Sequence, residues 1–538
     1  MLPEAREDRM RIALEILERD GGADRRRSGH ATDDSRDRSS SLRATACDKE
    51  TSDMAAAATG VEERLLIGGE WVEAGSGDRF DVTDPATGEV VGSVPDAGES
   101  DVNAAIDAAA GALDEWKALP ALHRARILRR AADLIRERKD TIALVMTSEQ
   151  GKPLAEAAGE VDYAASFLEW FGGEAERVYG QIVPPMNPTS RVLVLRQPVG
   201  VTAAITPWNF PAAMMTRKLG PAMAAGCTSV VKPASATPLT AALILRAIED
   251  AGTPPGVVNL VTSRSSGMVA QQLFSDARVR KISFTGSTEV GKELIRASAA
   301  QVKRLSLELG GHAPYVIFDD ADLDEAVDGL IASKFRNAGQ TCVCANRTYV
   351  QAGVYDAVVA KLAEKVTKMV VGHGTEPGVT IGPLIDDRAV DKADEHVQDA
   401  IAHGARLVVG GERIEGAGSF YAPTVLEGVT PEMLISTEET FGPVAGITRF
   451  ETEEEAIRAA NESIYGLAAY FHTRDYARLL RVAEKLEYGI IGANTGIISA
   501  ANAPFGGVKE SGYGREGGSV GIDEYLDVKY VQVGGVGL

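Results

Sequence analysis

Cys342 stands in Asn337-Ala-Gly-Gln-Thr-Cys342-Val-Cys344, a Gly/Gln/Thr turn between segments that read as helix and strand. A cysteine is most often an inert core residue. A turn of this composition is, however, a setting for an exposed, reactive thiol, whose thiolate is a strong nucleophile. On residues alone the two readings are even. Cys-Val-Cys is also a possible fragment of a metal site, but no matching Cys or His pair lies near it, which argues against zinc. Glu308, in Leu305-Ser-Leu-Glu308-Leu-Gly-Gly311, is a carboxylate among leucines closed by two glycines. Partial burial there would raise its pKa and make a general base usable near neutrality. The alternative is an exposed glutamate at a strand end.

Regular elements must hold such groups. From Leu65 the chain alternates densely. Residues 101–121 are Ala-rich and helical, and 123–149 carry a 3.6-residue apolar period. Strands are expected at 191–196, 200–205, 228–232, 257–261 and 280–284, and helices at 239–251 and near 268–274. A second run begins at Pro314: strand 315–318, helix 323–334, strand 348–351, helix 354–371. Strand–helix alternation at this spacing implies parallel sheets with right-handed crossovers. Two α/β domains follow, with the break near residue 310 and no internal repeat.

The 538 residues carry 56 Lys+Arg against 77 Asp+Glu, a net charge of −21, so the chain lacks the basic surface that non-specific nucleic-acid binding needs. Excess carboxylate with few lysines (17 against 39 arginines) is the composition of a protein kept soluble in strong salt. A GC-rich lineage with an acidic proteome would read the same way. No apolar run is long enough to span a bilayer. Four cysteines are too few for a disulfide scaffold and point to a reducing cytoplasm. Residues 1–53, Arg/Asp/Ser-rich from Gly21 onward, read as a disordered leader with one short helix at 7–19. They resemble no secretory or mitochondrial targeting segment. Met54 offers a cleaner start, so a start codon assigned too far upstream is an open alternative.

Six motifs occur in order: Pro207-Trp-Asn-Phe-Pro211, Phe284-Thr-Gly-Ser-Thr-Glu-Val-Gly291, Glu308-Leu-Gly-Gly311, Gly339-Gln-Thr-Cys342, Glu439-Thr-Phe-Gly-Pro443 and Pro504-Phe-Gly-Gly507. Together they resemble the aldehyde dehydrogenase superfamily, from about residue 61 to the C-terminus. The resemblance implies an α/β fold with a Rossmann-like cofactor domain (61–179 and 199–310), an α/β catalytic domain (311–523) and a small β oligomerisation arm (180–198 and 524–538) after a leader at 1–60. It also implies a homodimer or homotetramer. Cys342 matches the nucleophile that adds to an aldehyde carbon. Asn209 matches the oxyanion donor, acting with the backbone N–H of Cys342; such donors are typically worth ~3 kcal/mol each in the transition state. Glu308 matches the base that activates water against the thioester. Lys218 and Glu516 match positions linked to proton relay or to ordering of the site, with a plain structural ion pair as the alternative.

For the cofactor, the strand ending at Phe284 delivers Gly286 and Ser287 to a helix N-terminus, where free N–H groups and the helix dipole suit a pyrophosphate. Lys232 matches the residue that reaches the adenosine ribose. Glu439 matches the one that holds the nicotinamide ribose, with Phe441 beside the ring and Trp208 next to Asn209. Many NAD-preferring relatives carry Glu at position 235; Ser235 here removes a charge that repels a 2′-phosphate. NADP is therefore the expected cofactor, with NAD accepted.

Local wording around Cys342, with Thr216-Arg217-Lys218 and Asn494-Thr-Gly-Ile-Ile-Ser499, resembles the succinate-semialdehyde dehydrogenase branch. There Arg217, Arg336 and Ser499 match residues that hold the substrate's far carboxylate. An arginine fork suits a carboxylate, and a buried one left unpaired would reject neutral aldehydes. It would discriminate weakly against glutarate semialdehyde. General aldehyde oxidation is the neighbouring alternative, and a non-catalytic binding or structural protein of this fold is the alternative from another class. Cys344 could pair with Cys342 under oxidation and switch the site off, or be a passive small residue.

Overall fold

A computed structural model describes residues 61–535, with Val61 and Glu62 in backbone only. The leader, its helix at 7–19 and Cys47 lie outside the described residues, as do residues 536–538 of the expected arm.

The first large sheet has a core of five parallel strands: Arg304–Glu308, Val279–Thr285, Val201–Ile205, Thr228–Lys232 and Val258–Leu260, in that spatial order. The first of these along the chain, Val201–Ile205, sits in the middle. The next two are added on one side and the last two on the other. The winding therefore reverses between Val201–Ile205 and Val279–Thr285, which opens a crevice at their carboxyl ends, where such sheets bind ligands. Antiparallel Leu65–Ile67 and Glu70–Val72 extend one edge and Gly512–Tyr513 the other. This last strand lies inside the span expected to be purely catalytic domain. Its pairing with Arg304–Glu308 returns that part of the chain to the cofactor sheet.

The second sheet holds six parallel strands, Thr424–Glu427, Val444–Phe450, Ala345–Gln351, Ala313–Ile317, Ala468–His472 and Ile490–Ala493, with Arg406–Val409 antiparallel at its edge. Ala313–Ile317 and Ala468–His472 are buried throughout, as expected where helices cover both faces. A third sheet joins Leu526–Val533 to Arg191–Pro198 and Gln181–Val183. It carries exposed Ile182, Val528 and Tyr530.

Helix boundaries follow local chemistry. Asp322 accepts from the N–H groups of Asp324 and Glu325 and starts Leu323–Lys334. Pro211 and Pro238 occupy first turns, where a missing N–H costs nothing. The helix expected over 123–149 is two helices, Ala121–Glu137 and Lys139–Gln150, meeting at Arg138. The break falls in a polar run, Arg136–Asp140, with no apolar residue to register it. Ile135 and Ile142, two helical turns apart, keep the period on either side.

Among the described residues no helix is long and apolar enough to cross a membrane.

Candidate active site

Four adjacent strands of the first sheet present sequence-singled residues at their carboxyl ends. Asn209 follows Val201–Ile205, Lys232 ends Thr228–Lys232, Gly286 and Ser287 follow Val279–Thr285, and Glu308 ends Arg304–Glu308. The second sheet faces them with amino ends. Cys342 precedes Ala345–Gln351, and Glu439 and Phe441 precede Val444–Phe450. Between the two sheets lies a pocket of about 300 Å³ lined by Trp208, Asn209, Arg217, Gly286, Ser287, Arg336, Cys342, Glu439, Phe441 and Ser499, among others.

The loop that carries Cys342 is wound tightly. Asn337, Ala338 and Gly339 run consecutively in the left-handed region, with φ of 52°, 53° and 77°. This costs ~1–2 kcal/mol at each non-glycine position. Buried hydrogen bonds hold it: Asn337 Oδ1 accepts from Gln150 at 3.0 Å, and Gln340 Oε1 from the N–H of Ile385 at 2.9 Å. A Cβ on Gly339 would lie 2.2 Å from the carbonyl oxygen of Gly442, and one on Gly311 2.1 Å from that of Cys342. The second glycine of the Glu308 motif is thus what lets the nucleophile's backbone approach. Cys342 itself is half-buried rather than exposed. Burial pushes its thiol up to about 12, against the opposing pull of Arg217. The exposed thiol expected from the turn's composition is therefore corrected: Cys342 is half-buried, and burial disfavours its thiolate.

Cys344 is fully buried, and its thiol donates to the carbonyls of Lys334 at 3.5 Å and Ala345 at 3.7 Å. It does not line the pocket, and a Cys342–Cys344 bridge would require it to leave those partners.

Asn209 is buried and donates through Nδ2 to the carbonyl of Gln340 at 3.0 Å. One amide hydrogen is engaged and the other is left for the pocket. Trp208 meets Phe441 edge-on at 5.6 Å. Phe441 is itself in the left-handed region, at φ 54°.

Glu308 is 1 % exposed, deeper than the partial burial expected, and neither carboxylate oxygen has a protein partner. Burial, and then the neighbouring Glu516, push it well above the carboxylate range. Burial would also raise Glu516, but Lys218 and Arg217 overcome it and hold Glu516 below its ordinary value. Lys218 Nζ contacts Glu516 Oε1 at 2.6 Å and Ser283 Oγ at 3.0 Å, so the ion pair is present and fully buried. Two carboxyls with opposed shifts thus lie beside one another, one neutral and one charged.

Arg217 is 1 % exposed and stacks on Phe505 at 4.0 Å from the ring centre. Its Nη2 donates to Tyr163 Oη at 2.6 Å, while Nε and Nη1 have no hydrogen-bond acceptor. The nearest carboxylate to Nη1, Glu516 Oε2, is 3.8 Å away. Arg336 follows Leu323–Lys334, packs 5.4 Å over Phe210 and forms no ion pair among the described residues. Ser499 is half-buried and lines both this pocket and an outer cavity that also shares Tyr163.

The crevice fits a dinucleotide. Ser287 caps Thr288–Ser298, accepting from the N–H of Val290, so the amino end of an eleven-residue helix meets the pocket. A Cβ on Gly310 would lie 3.1 Å from Glu439 Oε2 and 3.3 Å from Thr288 Oγ1, so a larger residue there would crowd the Glu439 carboxylate. Glu439 accepts from the N–H of Gly311 at 3.2 Å, and burial pushes it up to about 8. Lys232 is buried, tied to Ser266 Oγ at 2.7 Å, and burial draws it down to about 8. Ser235, three residues on, is exposed.

Several residues of the site carry no sequence signal of their own. Tyr163, Lys152 and Glu160 bond partners distant in sequence, namely Arg217, Asn209 and the N–H groups of Ala212 and Ala213, and only Gly151, which ends a helix just before Lys152, marks the place.

The fold and pocket define a class: a doubly wound α/β protein whose dinucleotide-type crevice ends at a thiol. The chain belongs to the aldehyde dehydrogenase family, whose model matches residues 71–531. It is 56% identical over 472 residues to the succinate-semialdehyde dehydrogenase [NADP(+)] GabD of Escherichia coli K12, covering 88% of this chain and 98% of that protein. It is 55% identical over 474 residues to a glutarate-semialdehyde dehydrogenase of Pseudomonas aeruginosa, again covering 88% and 98%. An aldehyde dehydrogenase crystal structure from Brucella melitensis biovar abortus 2308 superposes with a TM-score of 0.86 at 56% identity, covering 88% of this chain and 97% of that one.

Proposed function

We propose that the chain oxidises succinate semialdehyde to succinate, with NADP preferred and NAD accepted. One observation carries the reading: a fully buried guanidinium, Arg217, lines the same pocket as Cys342 with two nitrogens lacking an acceptor. A buried cation with unused donors is costly unless its ligand supplies the anion. The reacting thiol at one end and Arg217 with Arg336 at the other suit an aldehyde with a carboxylate at its far end.

Cys342 adds to the aldehyde carbon once its proton is removed, and Asn209 Nδ2 with the Cys342 N–H stabilises the resulting oxyanion. When bound, the nicotinamide supplies the acceptor for the hydride that leaves the thiohemiacetal carbon. Glu308, kept neutral by burial beside charged Glu516, takes a proton from the water that attacks the thioester once it has itself lost one. Lys218 and Glu516 keep that charge balance. Glu439 would hold the nicotinamide ribose, with Trp208 and Phe441 at the ring. Gly286 and Ser287 would cradle the pyrophosphate, and Lys232 with Ser235 the adenosine ribose and its 2′-phosphate. The absence of a carboxylate at Ser235 favours NADP.

A longer substrate has its own support. Tyr163 and Ser499 line both the pocket and an outer cavity, so the wall at that end is two side chains thick at most, and a glutarate-semialdehyde dehydrogenase is among the similar proteins. Comparative kcat/KM on succinate semialdehyde, glutarate semialdehyde and propionaldehyde, each with NAD and NADP, separates these readings. A preference for propionaldehyde refutes the arginine assignment, and no turnover on any of them leaves a binding protein. The exposed apolar residues of the third sheet support a homodimer or homotetramer.

A further inference from the structure

Asn209 is gripped by its backbone as well as by its side chain. Its carbonyl oxygen accepts from Lys152 Nζ at 2.7 Å and from Asn337 Nδ2 at 3.0 Å. Lys152 is a fully buried ammonium that forms an ion pair with Glu160 and lies 4.1 Å over the ring of Phe210. The other oxygen of Glu160 accepts from the N–H groups of Ala212 and Ala213 at 3.0 and 3.2 Å. These open the helix Pro211–Ala225, which begins two residues after Asn209. On the far side, Asn337 belongs to the left-handed run that leads to Cys342. Its Nδ2 also reaches the carbonyl of Gln340 at 3.2 Å, the same oxygen to which Asn209 Nδ2 donates. The peptide unit of Asn209 is therefore held from one side by the cofactor domain and from the other by the loop of the nucleophile.

We propose that Lys152 and Asn337 are positioning residues that clamp the Asn209 carbonyl and so fix its side-chain amide relative to Cys342. The inference rests on the reading of Asn209 as an oxyanion donor. Two donors restrain the Asn209 carbonyl, and with the backbone so held the bond from Nδ2 to the Gln340 carbonyl sets the direction of the side-chain amide. Donor placement matters, because a misplacement of about 1 Å can cost ~100-fold in rate. A buried ammonium on a backbone carbonyl, rather than on a second carboxylate, is what such a clamp requires.

The test is a double-mutant cycle on kcat. Lys152→Met is combined with Glu160→Gln, so that the buried ion pair is removed as a unit and the remaining amide oxygen still serves Ala212 and Ala213. We expect kcat for semialdehyde oxidation to fall ~10- to 100-fold with KM unchanged. Alkylation of Cys342 by iodoacetamide, which forms no oxyanion, should keep its rate. In an Asn209→Ala background the same pair should lower kcat little further. Asn337→Gly, which leaves the left-handed backbone available, should behave alike and serves if the first pair does not fold. Undiminished kcat in these variants, or losses that multiply with that of Asn209→Ala, overturn the clamp and leave the role of Asn209 standing. Undiminished kcat in Asn209→Ala alone overturns the oxyanion reading, and the clamp with it.

Discussion

The guanidinium of Arg217 is tied at one corner, Nη2 to Tyr163 Oη at 2.6 Å, and free of acceptors at Nε and Nη1. With the aromatic rings of Tyr163, Phe167 and Phe505 around it, the cation has little freedom to turn elsewhere. An anion in the pocket would complete it.

Arg217→Met should therefore lower kcat/KM for succinate semialdehyde by ~100-fold, since charge-assisted hydrogen bonds contribute ~1.5–3 kcal/mol each. Propionaldehyde turnover should fall much less, by whatever Arg217 contributes through Cys342 and Glu516. Tyr163→Phe should give a smaller loss in the same direction, mostly in KM. Equal losses on both aldehydes would assign Arg217 to the scaffold, through Glu516, rather than to the substrate.

Glu308→Gln should separate the two halves of the reaction. Acylation of Cys342 does not need the base for water, so a burst of about one equivalent of reduced cofactor per site is expected. It should be followed by turnover slowed ~100- to 10,000-fold. Cys342→Ala should show no burst. A Glu308→Gln enzyme that turns over steadily at the wild-type rate would contradict the assignment.

Lys232 is drawn down to about 8 by burial, so the free enzyme loses that ammonium as pH rises through 8. A bound 2′-phosphate would favour the charged form. Affinity for NADP should thus be flat below pH 8 and weaken above it, with NAD much less affected. Fluorescence titration of both cofactors from pH 7 to 10 tests this. Parallel curves for the two, or a slope retained in Lys232→Met, would remove Lys232 from phosphate recognition.

His396 and His472 are buried and held neutral, each down to about 4. An unfolded chain takes up those protons near 6.5, the folded one not until about 4. The unfolded state binds more protons in between, so stability falls as pH drops from 6.5 toward 4 and levels off below. This amounts to ~3 kcal/mol for one such imidazole. Glu149 and Glu439, pushed up to about 8 by burial, act in the opposite sense between 4.5 and 8, which makes the wild-type profile a difference. In His472→Gln the urea midpoint at pH 4.5 should therefore rise relative to the midpoint at pH 7, compared with the same difference in wild type. An equal drop in both would show that His472 does not contribute.

The helix Leu323–Lys334 and the strand Thr228–Lys232 have the bounds read from sequence, because each is punctuated on the spot: Asp322 as a cap, Pro233 as a stop. Leu154–Ala175 escaped assignment, although it supplies Glu160, Tyr163 and Phe167. Its alanines and glycines blur the apolar stripe. Cys342, Glu308 and Arg217 were legible as chemical groups set in motifs. Their electrostatics were not, because burial depends on both sheets at once: the thiol's upward shift and the unpaired guanidinium appear only when the two are packed. Lys152 meets Asn209 across 57 residues and lies in no motif, so nothing local could announce it.

The strand Gly512–Tyr513 closes the outer edge of Arg304–Glu308, and Glu516 follows a few residues later. Under the proposed mechanism, the base therefore lacks the neighbouring carboxylate of Glu516 until that later segment has been made. A nascent protein long past Cys342 already owns its thiol but has no working site, so it cannot consume aldehyde while still half-made. The site is thus completed across the length of the chain, Glu516 meeting Lys218 over 298 positions.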